Sequence, residues 1–164
     1  MPTDHTCVAD GTPGDVAITT FGLLMEVRDG LVARLSPQLT EHHLSVIEAE
    51  VLVRLLRSPG HRLRMADLAA QVGLTASGLT RVVDRLEQGG LVVRAACPSD
   101  RRGTFAQLTV AGRERIGQAL PGHLDLIERW FIGLASPEEL ATLTTVLRRI
   151  RDEVRPDALA GVVE

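Results

Sequence analysis

The 164-residue sequence predicts a mainly helical α+β domain that carries one small β-hairpin. Two observations predict this class. Apolar residues recur at helical spacing in six segments, and two short segments separated by turn residues carry the β-branched and alternating pattern of strands. With 45% hydrophobic residues, the chain has enough apolar material for one compact domain.

The first two predicted helices precede residue 60. Apolar residues within Phe21–Leu35 form a helical stripe, and residues 1–18 before it are predicted to be a disordered tail. Ser45 and Glu48 have the spacing of a capping box, which begins a second helix. Ser58, followed by proline and glycine, ends that helix.

The third and fourth predicted helices are joined by a tight turn. The third helix covers Met65–Val72, and Gly73 occupies the position of a left-handed C-terminal cap. Thr75 can cap a fourth helix, which runs to about Gln88. Two helices joined through a short turn that contains glycine are typical of the helix-turn-helix motif.

The fourth helix is predicted to contact DNA. Its apolar residues are spaced to bury one side, and the opposite side carries Ser77, Gly78, Thr80, Arg81, Asp84 and Arg85. The N-terminal end of a helix favours phosphate, hydroxyl groups bond phosphates or bases, and arginine can donate two parallel hydrogen bonds to guanine. We therefore expect this helix in a major groove, although a merely solvated face would have a similar composition.

A β-hairpin follows and completes a winged helix-turn-helix. Leu91–Arg94 and Thr104–Leu108 are the predicted strands, and Pro98–Asp100 has turn chemistry. The hairpin tip carries Arg101 and Arg102, whose side chains suit the narrow and electronegative minor groove. Asp100 is expected to pair with one of these arginines and so to fix the shape of the tip.

The segments SGLTRVVDRLEQGGLVVR and DRRGTFAQLT resemble the MarR family of bacterial winged-helix regulators. The family pattern joins a recognition helix of the S-x-x-T-R-x-V-D-x-L-E kind to a D-x-R wing and a closing L-T. The resemblance covers about residues 20–155 and implies a transcriptional regulator, typically a repressor. The D-x-R spacing assigns the pairing with Asp100 to Arg102 and the groove contact to Arg101.

The remaining helices suggest a homodimer. Thr109 can cap a fifth helix, and Ser136 with Glu139 can cap a sixth. In the sixth helix, apolar residues recur at spacings of three and four: Leu140, Leu143, Leu147, Ile150 and Val154. This seam needs a partner helix. Packing within the same chain is one alternative, but the hydrophobic terminal helices and the family resemblance favour two-fold symmetry and a near-palindromic DNA site.

This organisation gives a DNA-binding lobe at about residues 45–110. The dimerisation helices are expected at about residues 19–40 and 110–155, and residues 156–164 are expected to form a C-terminal tail. The net charge of −3 does not exclude DNA binding, because residues 75–115 contain seven arginines and four acidic residues. A basic face on an acidic body is sufficient for phosphate contacts.

A cytoplasmic protein without a membrane segment is expected. No apolar stretch reaches the roughly 18 residues that a spanning helix requires. The first fifteen residues also lack the cationic and apolar regions of a signal peptide. Cys7 and Cys97 are too few and too far apart to suggest a disulfide framework.

The family resemblance also implies a small-molecule effector, often an aromatic anion. Arg28, His42 and Trp130 are predicted to bind it in a crevice between the dimerisation helices and the DNA-binding lobe. No cofactor or metal is expected, because the adjacent His42 and His43 lack a convincingly spaced third ligand. Redox sensing by Cys97, whose neighbouring arginines could favour the thiolate, is an alternative.

Two other functional classes are less compatible with the sequence. An enzyme is not indicated, because no nucleophile elbow, phosphate-binding glycine loop or metal motif occurs. A winged helix can also bind another protein. That alternative would favour a hydrophobic recognition face, whereas the predicted face is polar and cationic.

Overall fold

The computed structural model describes residues 13–97 and 100–159, without the side chains of Pro13, Cys97, Asp100, Arg101 and Arg102. The described residues form six α-helices, α1 (Pro13–Glu41), α2 (Val46–Arg57), α3 (Met65–Val72), α4 (Ala76–Gln88), α5 (Val110–Trp130) and α6 (Pro137–Val154). Three strands accompany them, β1 (Arg62–Arg64), β2 (Val92–Cys97) and β3 (Asp100–Leu108). The chain divides into two compact units, Met1–Arg34 and Leu35–Glu164.

The core of the second unit lies among α2, α3, α4, α5 and the sheet. Its largest fully buried side chains come from all of these elements: Leu52, Leu55, Leu68, Leu79, Ile116, Val51, Val83 and Val92. Burying one such side chain contributes about 1.5–3 kcal/mol. In α4 the buried residues are Leu79, Val82, Val83 and Leu86, which are the apolar set predicted from their spacing.

Local capping interactions define the helix ends as predicted. The side chain of Ser45 accepts a hydrogen bond from the Glu48 amide, and the Glu48 carboxylate accepts one from the Ser45 amide. Ser136 and Glu139 form the same reciprocal box at the start of α6. Gly73 ends α3 with φ 70° and ψ 32°, the left-handed conformation that favours glycine.

The sheet is antiparallel, with the strand order β1-β3-β2. The hairpin strands are longer than predicted, and Cys97 is paired with Asp100 across them. Strand β1 was not predicted. Three residues are too few for alternation to show, and β1 becomes a strand because Leu63 lies opposite Ala106 in β3 and is buried in the core.

The first turn of α5 packs closely against Leu91, the residue before β2. A Cβ atom on Gly112 would lie 2.1 Å from the carbonyl oxygen of Leu91, so only glycine allows this approach. The Thr109 side chain caps α5 by accepting from the Gly112 amide at 2.9 Å, and it donates to the Gly90 carbonyl at 2.7 Å. The start of α5 is thereby fixed to the residues that follow α4, Gly90 and Leu91.

Both predicted tails are too long. Helix α1 begins at Pro13, so residues 13–18 are helical rather than disordered, while residues 1–12 lie outside the described part. Proline suits a first helical position, and the negative charge of Asp15 in the first turn is stabilised by the positive end of the helix dipole. At the other end, Pro156–Leu159 form a 3-10 helix against α3 because Ala158, 5% exposed, is buried. Residues 160–164 also lie outside the described part.

Candidate nucleic-acid interface

The N-terminal end of α4 presents polar groups on an exposed surface. Thr75 caps the helix, its Oγ1 accepting from the Gly78 amide at 3.1 Å and lying 3.2 Å from the Ser77 hydroxyl. Thr80 follows one turn later and donates to the Ala76 carbonyl at 2.8 Å. Thr75, Ser77 and Thr80 are exposed. The hydroxyl oxygens can still accept from a base amino group, and one hydrogen of the Thr75–Ser77 pair is left to donate to a phosphate.

Arg81 is the free cation of this face. It is exposed, and its guanidinium forms no ion pair or hydrogen bond within the described part of the chain. The neighbouring Val82 and Val83 are buried and fix the backbone from which the guanidinium extends. An unpaired guanidinium on a rigid helix can bond guanine or phosphate without first breaking a contact within the protein.

Arg85 lies on the same face but has a partner. Its Nε donates to Glu48 Oε1 at 2.9 Å, which ties α4 to the start of α2. Burial raises the pKa of the Glu48 carboxyl, but hydrogen bonds from Ser45 and Arg85 and the charge of Arg85 outweigh it, so the pKa is lowered. The predicted DNA contact of Arg85 would thus compete with an existing ion pair.

A cluster of three charges joins α4 to the hairpin. The Arg94 guanidinium in β2 donates to Asp84 at 2.6 Å and to Glu87, and the Arg94 amide donates to Glu87 at 3.1 Å. Burial lowers the pKa of Arg94, but the hydrogen bonds and charges of Asp84 and Glu87 outweigh it and raise the pKa. We call these residues the hairpin clamp. They orient the hairpin relative to α4.

A groove of about 670 Å³ runs between α4, the start of α3 and the hairpin. Its polar lining includes Thr80, Thr104 and Arg64. Beside it, Arg62 and Arg64 of β1 lie over the Phe105 ring, with guanidinium carbons 5.0 and 6.0 Å from the ring centroid. These two arginines add positive charge to the base of the hairpin. They were not among the predicted site residues because β1 was not predicted.

The predicted roles at the hairpin tip concern side chains outside the described part. The backbone of Asp100, Arg101 and Arg102 begins strand β3. The pairing of Asp100 with Arg102 and the groove contact of Arg101 therefore stay predictions. The side chain of Cys97, the candidate redox thiol, also lies outside the described part.

The three predicted effector residues do not share one cavity, and none of them lines the apolar cavity between the end of α1, α2 and α5. Arg28 belongs to the first unit and forms an exposed ion pair with Asp29 at 2.6 Å. The carbonyl of His42 accepts from Arg115 at 3.2 Å, and Trp130 is stacked with Arg129 at 5.0 Å. Neither His42 nor Trp130 lines the cavity between the end of α1, α2 and α5.

That cavity has a volume of about 350 Å³ and a mainly apolar lining, including Leu39, Val53 and Ile127. His123 from α5 also lines it, and the Nδ1 atom of His123 is buried without a hydrogen-bond partner in the described structure. Burial lowers the pKa of His123, so its imidazole is neutral at neutral pH. A neutral imidazole offers one donor and one acceptor. His123 was not predicted as a site residue.

Two helices expose apolar side chains that a single chain leaves uncovered. In α1 these are Val16, Ile18, Phe21, Leu23, Leu24, Met25, Val27 and Val32. In α6 they are Leu143, Val146, Leu147, Ile150 and Val154. The α6 set contains four of the five residues in the predicted seam, so this seam has no partner among the described residues of its own unit, 35–97 and 100–159.

Neither a metal site nor a membrane-spanning segment is found in the described ranges. No three His, Cys, Asp or Glu residues there are grouped so that they could hold a metal ion. Every described helix is too short or too polar to cross a bilayer.

Comparison with known proteins agrees with this architecture. The model of the MarR family matches residues 42–103. The regulator MhqR of Bacillus subtilis is 33% identical over 134 residues, which are 82% of this chain and 90% of that protein. The crystal structure of AbsC, a MarR family regulator of Streptomyces coelicolor, is 36% identical with a TM-score of 0.82, covering 87% of this chain and 96% of AbsC.

A second MarR family regulator of Streptomyces coelicolor was solved in complex with DNA. It is 34% identical with a TM-score of 0.79, and the match covers 84% of this chain and 87% of that protein. The predicted winged helix-turn-helix fold is confirmed by these structures. The relatives are transcriptional regulators rather than enzymes.

Proposed function

The chain belongs to the MarR family of transcriptional regulators, and we propose that it acts in the cytoplasm by inserting α4 into the major groove of a near-palindromic operator. The observation that carries the proposal is the exposed face of α4. This face combines the Thr75, Ser77 and Thr80 hydroxyls with the unpaired guanidinium of Arg81. Gly78 would let the DNA backbone approach the helix closely.

The other predicted contacts are proposed in two groups. Arg101 would enter the minor groove from the hairpin, where Asp100 and Arg102 shape the tip. Arg85 would make at most a secondary phosphate contact, because Glu48 already binds it. Arg62 is added as a candidate phosphate contact, since it is exposed at the base of the hairpin.

Two copies of the chain are proposed to form the functional unit. The uncovered apolar residues of α6, together with those of α1, supply apolar surface that association would remove from water. This fits the expected lobe at about residues 45–110 and dimerisation helices at about residues 19–40 and 110–155. A two-fold axis would then place two α4 helices about one duplex turn apart.

DNA selection from a random duplex library tests the proposal. The selected site should be near-palindromic, and affinity should fall steeply as salt rises because phosphate contacts release counterions. Arg81→Ala should cost about 1–3 kcal/mol of binding and relax the preference at particular base pairs. Arg149→Ala, an exposed arginine on the side of α6 opposite the seam, is the matched control. Failure to select any site would refute sequence-specific binding.

We propose that an effector relieves repression by occupying the cavity beside His123. The apolar lining suits one aromatic ring, and the unpartnered Nδ1 suits a single hydroxyl or carboxyl group on that ring. Glu50, paired with Arg54 at 3.5 Å, is the one charged residue in the lining of this cavity. These contacts favour His123 over the three residues predicted from the sequence.

The effector site can be tested with a panel of phenols and monocyclic aromatic carboxylates. A binding member of the panel should raise the melting temperature and weaken DNA binding. His123→Leu should abolish both effects without changing DNA affinity in the absence of the compound. Trp130→Ala and His42→Ala should leave both effects intact, and loss of the response in these variants instead would return the site to the sequence-predicted residues.

A further inference from the structure

The end of α6 reaches back to the helix-turn-helix motif. Arg155 is the C-terminal cap of α6, and its own amide donates to the Arg151 carbonyl at 2.7 Å. Its Nη2 donates to the carbonyls of Ala70 at 2.8 Å and Gln71 at 3.0 Å. The following 3-10 helix packs against α3. The Arg155 side chain thus joins the end of α6 to the end of α3, and it bonds a residue 85 positions earlier in the sequence.

The two acceptors are among the last carbonyls of α3. Carbonyls in the last turn of a helix lack partners within the helix, and they form the negative end of its dipole. The Ala70 carbonyl already accepts from the Gly73 amide at 3.3 Å, so the guanidinium adds a second donor to Ala70, donates to the Gln71 carbonyl and stabilises the dipole. Gly73, at the turn between α3 and α4, lies directly against this guanidinium.

Gly73 is required here for two reasons. Its φ of 70° is left-handed, and a Cβ atom at this position would lie 2.8 Å from Arg155 Nη2. Glycine therefore leaves room for the guanidinium while it turns the chain toward Thr75. Only Leu74 separates Gly73 from Thr75, the residue that caps α4.

We propose that Arg155 is a positioning residue for DNA recognition, because it holds the end of α3 and thereby the turn from which α4 starts. This inference rests on the proposed function of α4. Since the same helix carries the uncovered apolar seam, a displacement of α6 against a second copy would be transmitted through Arg155 to the DNA-binding helix. The contact connects the dimer state to the orientation of α4 within one chain.

The test compares Arg155→Ala and Arg155→Lys with Arg149→Ala. All variants are assayed on the operator selected with the unaltered protein, at a temperature where circular dichroism shows each of them folded. If the turn between α3 and α4 keeps its native conformation about one tenth of the time in Arg155→Ala, the apparent Kd for the operator rises about tenfold. Lysine keeps the positive charge and should recover part of the affinity. Arg149→Ala should bind like the unaltered protein.

Two further measurements separate positioning from other roles. The amide of Gly78, which donates to Thr75, should exchange hydrogen faster in Arg155→Ala but not in Arg149→Ala. The slope of affinity against salt should be unchanged, whereas loss of a direct phosphate contact would reduce it by about one.

The inference is overturned if Arg155→Ala lowers only the melting temperature and leaves the Kd of the folded protein unchanged. A reduced salt slope would also overturn it and assign Arg155 to phosphate. If the unaltered protein selects no operator, the proposed function fails instead, and hydrogen exchange at Gly78 alone still decides whether Arg155 holds the turn.

Discussion

Glu48 serves two helices with one carboxylate. It completes the capping box of α2 and binds Arg85 of α4, while its side chain is only 14% exposed. A carboxylate that accepts several hydrogen bonds in a partly buried position stabilises the fold only while it is ionised. The position of α4 against α2 therefore depends on the protonation of this residue.

This dependence predicts a pH effect on stability. The folded pKa of Glu48 is lowered below its ordinary value of 4.5, so its contribution is present above about pH 4.5 and is lost as the pH falls through the folded pKa. Glu48→Gln should lower the melting temperature at pH 7 and have little effect well below pH 4.5. Glu50→Gln, which removes the exposed ion pair with Arg54 two residues further along α2, should have a smaller effect at pH 7. An equal loss at both pH values for Glu48→Gln would contradict the prediction.

Residue roles set by near neighbours could be predicted from the sequence. The caps at Ser45, Thr75 and Gly73 depend on residues within one turn, and the structure shows each of them. Partners distant in sequence could not be predicted, because the fold alone brings them together. Arg85 and Glu48 are 37 positions apart, and nothing local distinguishes Arg85 from the unpaired Arg81.

At the scale of elements, the hairpin clamp decides where the hairpin lies. Arg94 is 28% exposed and is shared by Asp84 and Glu87 of α4. Asp84 was predicted to lie on the exposed, DNA-facing side of α4, and its pairing with β2 was not predicted. The single positive charge of Arg94 offsets one of the two negative charges of Asp84 and Glu87. The negative charge of α4 then opposes phosphate less strongly.

Removing the clamp should weaken folding and DNA binding together. Arg94→Ala leaves two carboxylates one turn apart without their common cation, and we expect a loss of about 1–2 kcal/mol of unfolding free energy. Urea denaturation measures this loss. The double variant with Glu87→Ala should lose less than the sum of the two single variants. Additive losses would show that Arg94 and Glu87 act independently.

The hairpin tip carries two arginines with different predicted roles. Arg101→Ala should weaken operator binding while the melting temperature stays nearly unchanged, since the predicted groove contact is to DNA and is not part of the fold. Arg102→Ala should weaken binding by altering the tip, and Asp100→Ala should have the same effect with little added in the double variant. Operator affinity and melting temperature, measured for the three single variants and the Asp100/Arg102 double variant, distinguish the two roles. Unaltered affinity in both arginine variants would exclude the tip from the DNA-binding surface.

At the scale of the whole molecule, α6 joins two proposed functions. Its apolar seam is uncovered, with Leu147 37% and Ile150 46% exposed, while its C-terminal Arg155 holds the helix-turn-helix. The spacing of apolar residues predicted the seam, because a helical repeat is visible in sequence. The return of residues 155–159 to α3 could not be predicted, since it depends on burial of Ala158 and on two carbonyl groups of a distant helix.

The seam predicts the oligomeric state. Leu147→Glu places a carboxylate in the middle of the proposed interface, where it would be desolvated without a partner, so the variant should be monomeric at micromolar concentration. Thr145→Glu introduces the same charge on the opposite side of α6 and should stay dimeric, as light scattering would show. Because one α4 then contacts a single half-site, Leu147→Glu should bind the full operator no better than an isolated half-site. A monomeric unaltered protein would contradict the proposed dimer. A Leu147→Glu variant that remains dimeric with full operator affinity would place the dimer contact elsewhere.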